Sequence, residues 1–130
     1  MLIPLFASMA PLLIWPVEFI FPYPHIIEEL VKGFLVYFIL KSSDNTIRIR
    51  STILAGLLFA FSESVMYMFN ILLVGTIWTF IERLILTIPL HVITTLLILL
   101  SGMRKKELLP LGVVAAMFLH YFFNLFVQRF

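Results

Sequence analysis

The sequence predicts an all-α fold, a polytopic membrane bundle of four to five transmembrane helices, and three observations carry that prediction. Apolar residues make up 62% of the 130-residue chain and charged residues only 12%, where a soluble protein carries about 45–50% and about 25%. So few charges cannot cover the apolar surface in water, and lipid must cover it instead. Four segments are long and apolar enough to cross a hydrocarbon core of about 30 Å, which takes about 20 residues of helix. The basic residues gather in two short connections between those segments.

The first stretch, 2–21, is apolar but interrupted by Pro4, Pro11 and Pro16. Proline is tolerated in membrane helices when neighbours satisfy the freed carbonyls, so this stretch reads either as a fifth span or as a kinked or re-entrant piece. The well-defined spans are 25–41, 51–74, 79–101 and 108–128; the first of them is short and ends at Lys41. Strands are disfavoured, because the segments do not alternate and so few could not close a barrel. Length and the lack of repeats or linkers predict one membrane-embedded domain over 1–130.

The connection 42–50 carries Arg48 and Arg50, with Lys41 at its edge, and 102–107 carries Arg104, Lys105 and Lys106. The turns at 22–24 and 75–79 have no Lys or Arg. By the positive-inside rule both basic loops face the cytoplasm. They lie two spans apart, as one-sided loops must. The C-terminus is then expected outside. An integral protein of a prokaryotic plasma membrane is the expected setting, with the bilayer as its first partner. The N-terminus lacks the basic region and small-residue cleavage site of a secretory signal and is expected to be mature. A formal charge of +2 gives no footing for nucleic acid, and the absence of cysteine excludes disulfides, thiolate catalysis and cysteine metal sites.

Ionisable groups inside a span cost about 2.5–3.5 kcal/mol each on insertion scales and mark functional positions. Here Glu28, Glu29 and Lys32 lie in the span 25–41, Glu63 in the next, Arg83 and His91 in the third, and His120 and Asn124 in the last. At about 1.5 Å of rise per residue, Glu28, Glu63, His91 and His120 lie roughly 20, 18, 15 and 20 Å from the basic loops. Four helices thus place ionisable groups within about one turn of a common depth, and helices packed 8–10 Å apart can bring them into one polar cavity. Glu28 and Lys32 are spaced i,i+4, the favourable order for an ion pair. His120 and Asn124 share one helix face, and Arg83, Thr87 and His91 form a stripe.

A single buried Glu or His is as readily a satisfied contact between helices. Glu82 and Arg83 are equally readable as snorkelling interfacial charges, while Glu18 and His25 are expected near the outer boundary, facing water. The fourteen phenylalanines and six methionines are core or lipid-facing bulk.

Glu28-Glu29-Leu30-Val31-Lys32 resembles the Glu-Glu-x-x-Lys motif of the PrsW family of intramembrane proteases. Phe59-Ala60-Phe61-Ser62-Glu63 is similar to the family's Phe-x-x-x-Glu, although Ser64 stands where members usually have Asn. Arg83 followed by Pro89-Leu90-His91 resembles the third motif, and His120 with Asn124 the closing His-x-x-x-Asn. The motifs keep their order over 25–126, the protease-like core, leaving 1–24 as the segment of open status. The family is related to the CAAX prenyl endopeptidases and the Abi-type membrane proteases, which typically place histidine where Glu63 stands.

The resemblance implies hydrolysis of a peptide bond within or beside the membrane, on a single-pass membrane protein or a peptide. Its implied catalytic residues are Glu28, Glu29, Glu63, His91, His120 and Asn124, supported by Lys32 and Arg83. One version is metal-free: Glu28 or Glu29 serves as base and the other orients it, while His91, His120 and Asn124 hold water or polarise the carbonyl. The other uses a divalent metal such as zinc on Glu63, His91 and His120, with one position left for water. Both stay open at this level. Two further classes compete: a small proton-coupled transporter or exporter, which also buries Glu and His, and a catalytically silent membrane scaffold.

Overall fold

In the computed structural model, which describes residues 2–127, five α-helices and one short 3-10 turn follow each other without strands among the described residues: α1 (Ile3–Ile20), α2 (Pro24–Ile39), α3 (Asn45–Val74), α4 (Ile77–Arg104) and α5 (Leu109–Val127), with the turn Lys106–Leu108 leading into α5. The expected all-α bundle is what forms. The stretch 2–21 is one continuous helix. Pro4 lies in its first turn, where a missing N–H costs nothing, but Pro11 and Pro16 lie inside it. Proline donates no N–H, so the carbonyls of Ala7 and Leu12 lose their helical donors.

Among the described residues four stretches are long and apolar enough to cross a membrane: Ile3–Ile20, Asn45–Met68, Ile77–Arg104 and Lys106–Val127. The proline-bearing first helix is among them. The helix of the expected span 25–41 is not, because α2 has 16 residues and reaches only about 24 Å. Its charge load explains why it still belongs in the bundle. Glu28, Glu29 and Lys32 are buried together with Gly33, Leu35, Val36 and Ile39 on one face, while Leu30, Phe34 and Tyr37 are exposed on the other.

The helix ends are fixed locally. Asp44 caps α3 by accepting from the amides of Thr46 (2.7 Å) and Ile47 (3.3 Å). Arg48 donates to the carbonyls of Ser42 (2.7 Å) and Leu40 (3.0 Å), satisfying the end of α2. Thr76 and Thr79 form a capping box that starts α4. Helices α3 and α4 pack along each other, α1 lies on α3, and α5 rests on α4 and α2. The apolar core, with Val36, Ile39, Ala55, Ile98, Leu99, Val113 and Ala116 buried, fills the half of the bundle nearer the basic loops. The polar residues fill the other half. The C-terminus, expected outside, falls on 128–130 and lies outside the described residues.

Candidate active site

Four helices each deliver part of a buried polar cluster. Helix α2 contributes Glu28, Glu29 and Lys32, α3 contributes Glu63, α4 contributes His91, and α5 contributes His120. Glu29 is enclosed completely and sits at the centre of an ion-pair network. Its Oε1 accepts from Lys32 Nζ at 2.6 Å and lies 2.8 Å from His120 Nδ1. Lys32 also donates to Thr94 Oγ1 at 3.1 Å and stands 5.0 Å above the Phe59 ring. The i,i+4 pair expected between Glu28 and Lys32 is therefore not the one that forms. Lys32 pairs instead with Glu29, one residue nearer in the chain, where His120 and Thr94 from other helices complete the surroundings.

Glu28 approaches the same ring nitrogen of His120 from farther away, with Oε2 3.6 Å from Nδ1. His91 stacks on Phe59 at 5.2 Å and meets the His120 ring edge-on at 5.3 Å. The hydroxyls of Thr95 (2.5 Å) and Thr94 (3.3 Å) donate to the His91 carbonyl, so the backbone beneath the imidazole is held. His91 Nε2 approaches Glu63 Oε2 to 2.6 Å, yet off the hydrogen-bonding direction, since neither atom makes a hydrogen bond among the described residues.

Unpaired polar atoms concentrate here. Oε2 of Glu28, Glu29 and Glu63 and both ring nitrogens of His91 are buried without a hydrogen-bond partner among the described residues. A buried polar group left unpaired costs about 1–3 kcal/mol, so this gathering calls for a polar guest. One donor atom each from Glu28, His91 and His120 lie within 4.8 Å of one another. Two imidazoles and a carboxylate are the donor types of catalytic zinc. His120 fits further: with Nδ1–H donated to Glu29, its Nε2 keeps a lone pair, the carboxylate–histidine pairing that accompanies metal ligation. The residues present thus fit a divalent cation. The carboxylate of this set is Glu28, whereas the sequence pointed to Glu63. Spacing along helices gives depth but not which side of His91 each carboxylate approaches.

A cavity of about 230 Å³ opens beside the cluster, lined by Glu28, Glu63 and His120 together with Tyr67, Arg83 and Asn124. Arg83 and Asn124 therefore reach the site, but as lining: neither hydrogen-bonds to the clustered groups. Arg83 stacks on Tyr67, 5.5 Å from the ring centre.

Three residues were missed or misplaced by sequence reasoning. His25, expected in water, is 8% exposed and packs between His120 (6.0 Å) and Tyr121 (5.6 Å). Its spacing of i,i+3 from Glu28 was the available signal. Glu18, also expected in water, is half-buried, with Oε1 enclosed and unpaired, and it lies within electrostatic reach of Glu63. Tyr67 follows Glu63 at i+4 and so shares its face of α3.

No curated protein and no solved structure matches the chain. A family model, PrsW family intramembrane metalloprotease, matches residues 13–129. That match takes in all four polar helices and the second half of α1. The chain belongs to the PrsW family of intramembrane metalloproteases.

Proposed function

We propose that this chain hydrolyses a peptide bond of a single-pass membrane protein or membrane-associated peptide at the cluster of Glu28, Glu63, His91 and His120. The observation that carries the reading is the convergence of carboxylates and imidazoles from four helices, with unpaired atoms on Glu28, Glu29, Glu63 and His91, beside one cavity that Glu28, Glu63 and His120 line. In this reading Glu28, His91 and His120 hold a divalent cation, with zinc as the first candidate. When bound, such a cation supplies Lewis-acid polarisation of water and of the scissile carbonyl.

The remaining steps fall to the side chains. Among the three glutamates Glu63 has the greatest access to the cavity, with 14% of its side chain exposed against 6% for Glu28 and 0% for Glu29. Glu63 takes the proton of the attacking water and returns it to the leaving amine as the C–N bond breaks. The base role that the sequence offered to Glu28 or Glu29 passes to it, because Glu29 is occupied by Lys32 and His120. Glu29 is a positioning residue: it fixes the tautomer and ring plane of His120, and Lys32 balances its charge. Arg83 and Asn124, on the cavity wall, offer N–H donors to the oxyanion of the tetrahedral intermediate. Loops 42–50 and 102–107 face the cytoplasm in this reading, which puts the cavity in the opposite half of the bilayer.

The test is cleavage of fluorogenic transmembrane peptides by the purified chain in proteoliposomes. Glu63→Gln should lower the rate by at least about 10²-fold, the lower end of general-base contributions, without changing zinc content. His91→Ala and His120→Ala should lose both the rate and the zinc found by elemental analysis. Normal cleavage by these variants would overturn the assignment. So would substrate-driven proton flux with no cleavage, which would favour a transporter.

A further inference from the structure

We propose that the seam between the basic ends of α2 and α5 binds one anionic glycerophospholipid, its phosphodiester held between Lys41 and Lys106. The two lysines come from the two basic connections, far apart in sequence. They line one cavity of about 270 Å³ with Tyr37, Leu40, Leu109 and Pro110. Its rims are cationic and the rest of its wall is apolar, which matches a lipid's phosphate and the start of its acyl chain.

The floor is built rather than accidental. Leu40 belongs to the buried core and Leu109 packs against it, and both close over Gly102 of α4. A Cβ at that glycine would stand 2.6 Å from Leu40 Cδ1 and 3.3 Å from Leu109 Cδ1. With no side chain at Gly102 the two leucines pack close against the α4 backbone, and both line the cavity between the lysines.

The charge at this end is uncompensated where it matters. Lys41 stands over the rings of Phe38 (4.5 Å) and Tyr37 (5.1 Å), which hold its ammonium at the rim. Arg48 is committed to the carbonyls of Leu40 and Ser42. Of the two carboxylates nearby, Asp44 accepts from backbone amides of α3 and Glu107 is exposed. Among the described residues neither pairs with Lys41 or Lys106. Arg50, Arg104 and Lys105 do not line the cavity. Below the rim the exposed Tyr37 of α2 and Val114 of α5, one turn on from Pro110, offer an apolar start for an acyl chain. The site lies about 13 residues, roughly 20 Å, along α2 from Glu28, so it stands or falls apart from the hydrolytic centre.

The experiment is native mass spectrometry of the full chain in a non-ionic detergent, titrated separately with dioleoylphosphatidylglycerol, dioleoylphosphatidylcholine and inorganic phosphate. One phosphatidylglycerol should be retained per chain, at least tenfold more tightly than phosphatidylcholine, and millimolar phosphate should not displace it. A basic residue near an anionic lipid surface is worth about fivefold in affinity, so Lys41→Gln with Lys106→Gln should weaken retention on the order of 30-fold. Arg50→Gln with Arg104→Gln should leave it within about threefold. Equal retention of the two lipids by the unaltered chain would overturn the proposal, whether or not the variants fold. So would an undiminished double lysine variant, or displacement by free phosphate.

Discussion

Gly56 offers a test of how the catalytic geometry is held. It lies two turns below Glu63 on α3, where α3 crosses α4. A Cβ there would stand 2.8 Å from Val92 Cα, 3.0 Å from the His91 carbonyl oxygen and 3.1 Å from Val92 N. All three neighbours are backbone and cannot swing aside. Ordinary contact begins at 3.4 Å, so Gly56→Ala must part the helices by roughly 0.6 Å, a distance a close-packed interior does not absorb for free. Overpacking of this kind costs about 1–3 kcal/mol. The displacement falls on the peptide that carries His91, whose Nε2 sits 2.6 Å from Glu63 Oε2. A misplacement of about 1 Å at a reacting centre costs about 10²-fold in rate, so a loss on the order of tenfold is expected. Thermal unfolding in detergent and peptide hydrolysis in proteoliposomes read the two effects, with the lipid-facing Leu54→Ala as a control near wild type. If Gly56→Ala kept both stability and rate, tight crossing of α3 and α4 would not be what positions His91.

Two further outcomes are expected. Lys32→Met should strand the Glu29 carboxylate in an enclosed site and destabilise the protein by about 3–5 kcal/mol. Adding Glu29→Gln should recover much of that stability while leaving zinc affinity about 10–100-fold weaker, as loss of a histidine's carboxylate partner does; if the double variant unfolds as readily as the single, the pair is not the charge compensation described here. The chain has no cysteine, so single cysteines report sidedness cleanly. Ser43→Cys and Lys105→Cys should react with a membrane-impermeant maleimide only from the cytoplasmic face and Thr76→Cys only from the other, and labelling of all three from one face would contradict the topology.

What the sequence made legible was depth. A helix rises a fixed distance per residue, so counting from the basic loops was enough to bring Glu28, Glu63, His91 and His120 to one level. Lateral pairing was not legible, since it depends on which neighbour each face meets. Lys32 is equally reachable from Glu28 and Glu29 along α2, and Thr94 of α4 with His120 of α5 decide for Glu29. His25 was misread for the same reason: its height put it near the boundary, but the Tyr121 ring of α5 covers it. The prolines left the first stretch open between a span and a kinked piece, and packing against α3 and α2 sustains a helix through Pro11 and Pro16. Conversely, α2 is the shortest of the five α-helices although its sequence read as a span, because Pro24 starts it late and Leu40 ends it early.

The brevity of α2 affects the lipid around it. A rod too short for its bilayer draws the headgroup layers toward each other at its flank, a mismatch that costs fractions of a kcal/mol per Å. At about 24 Å against a typical 30 Å, the helix that carries three of the site's charged groups is expected to thin a bilayer beside it. Water would then cross less hydrocarbon beside α2 than beside the longer helices.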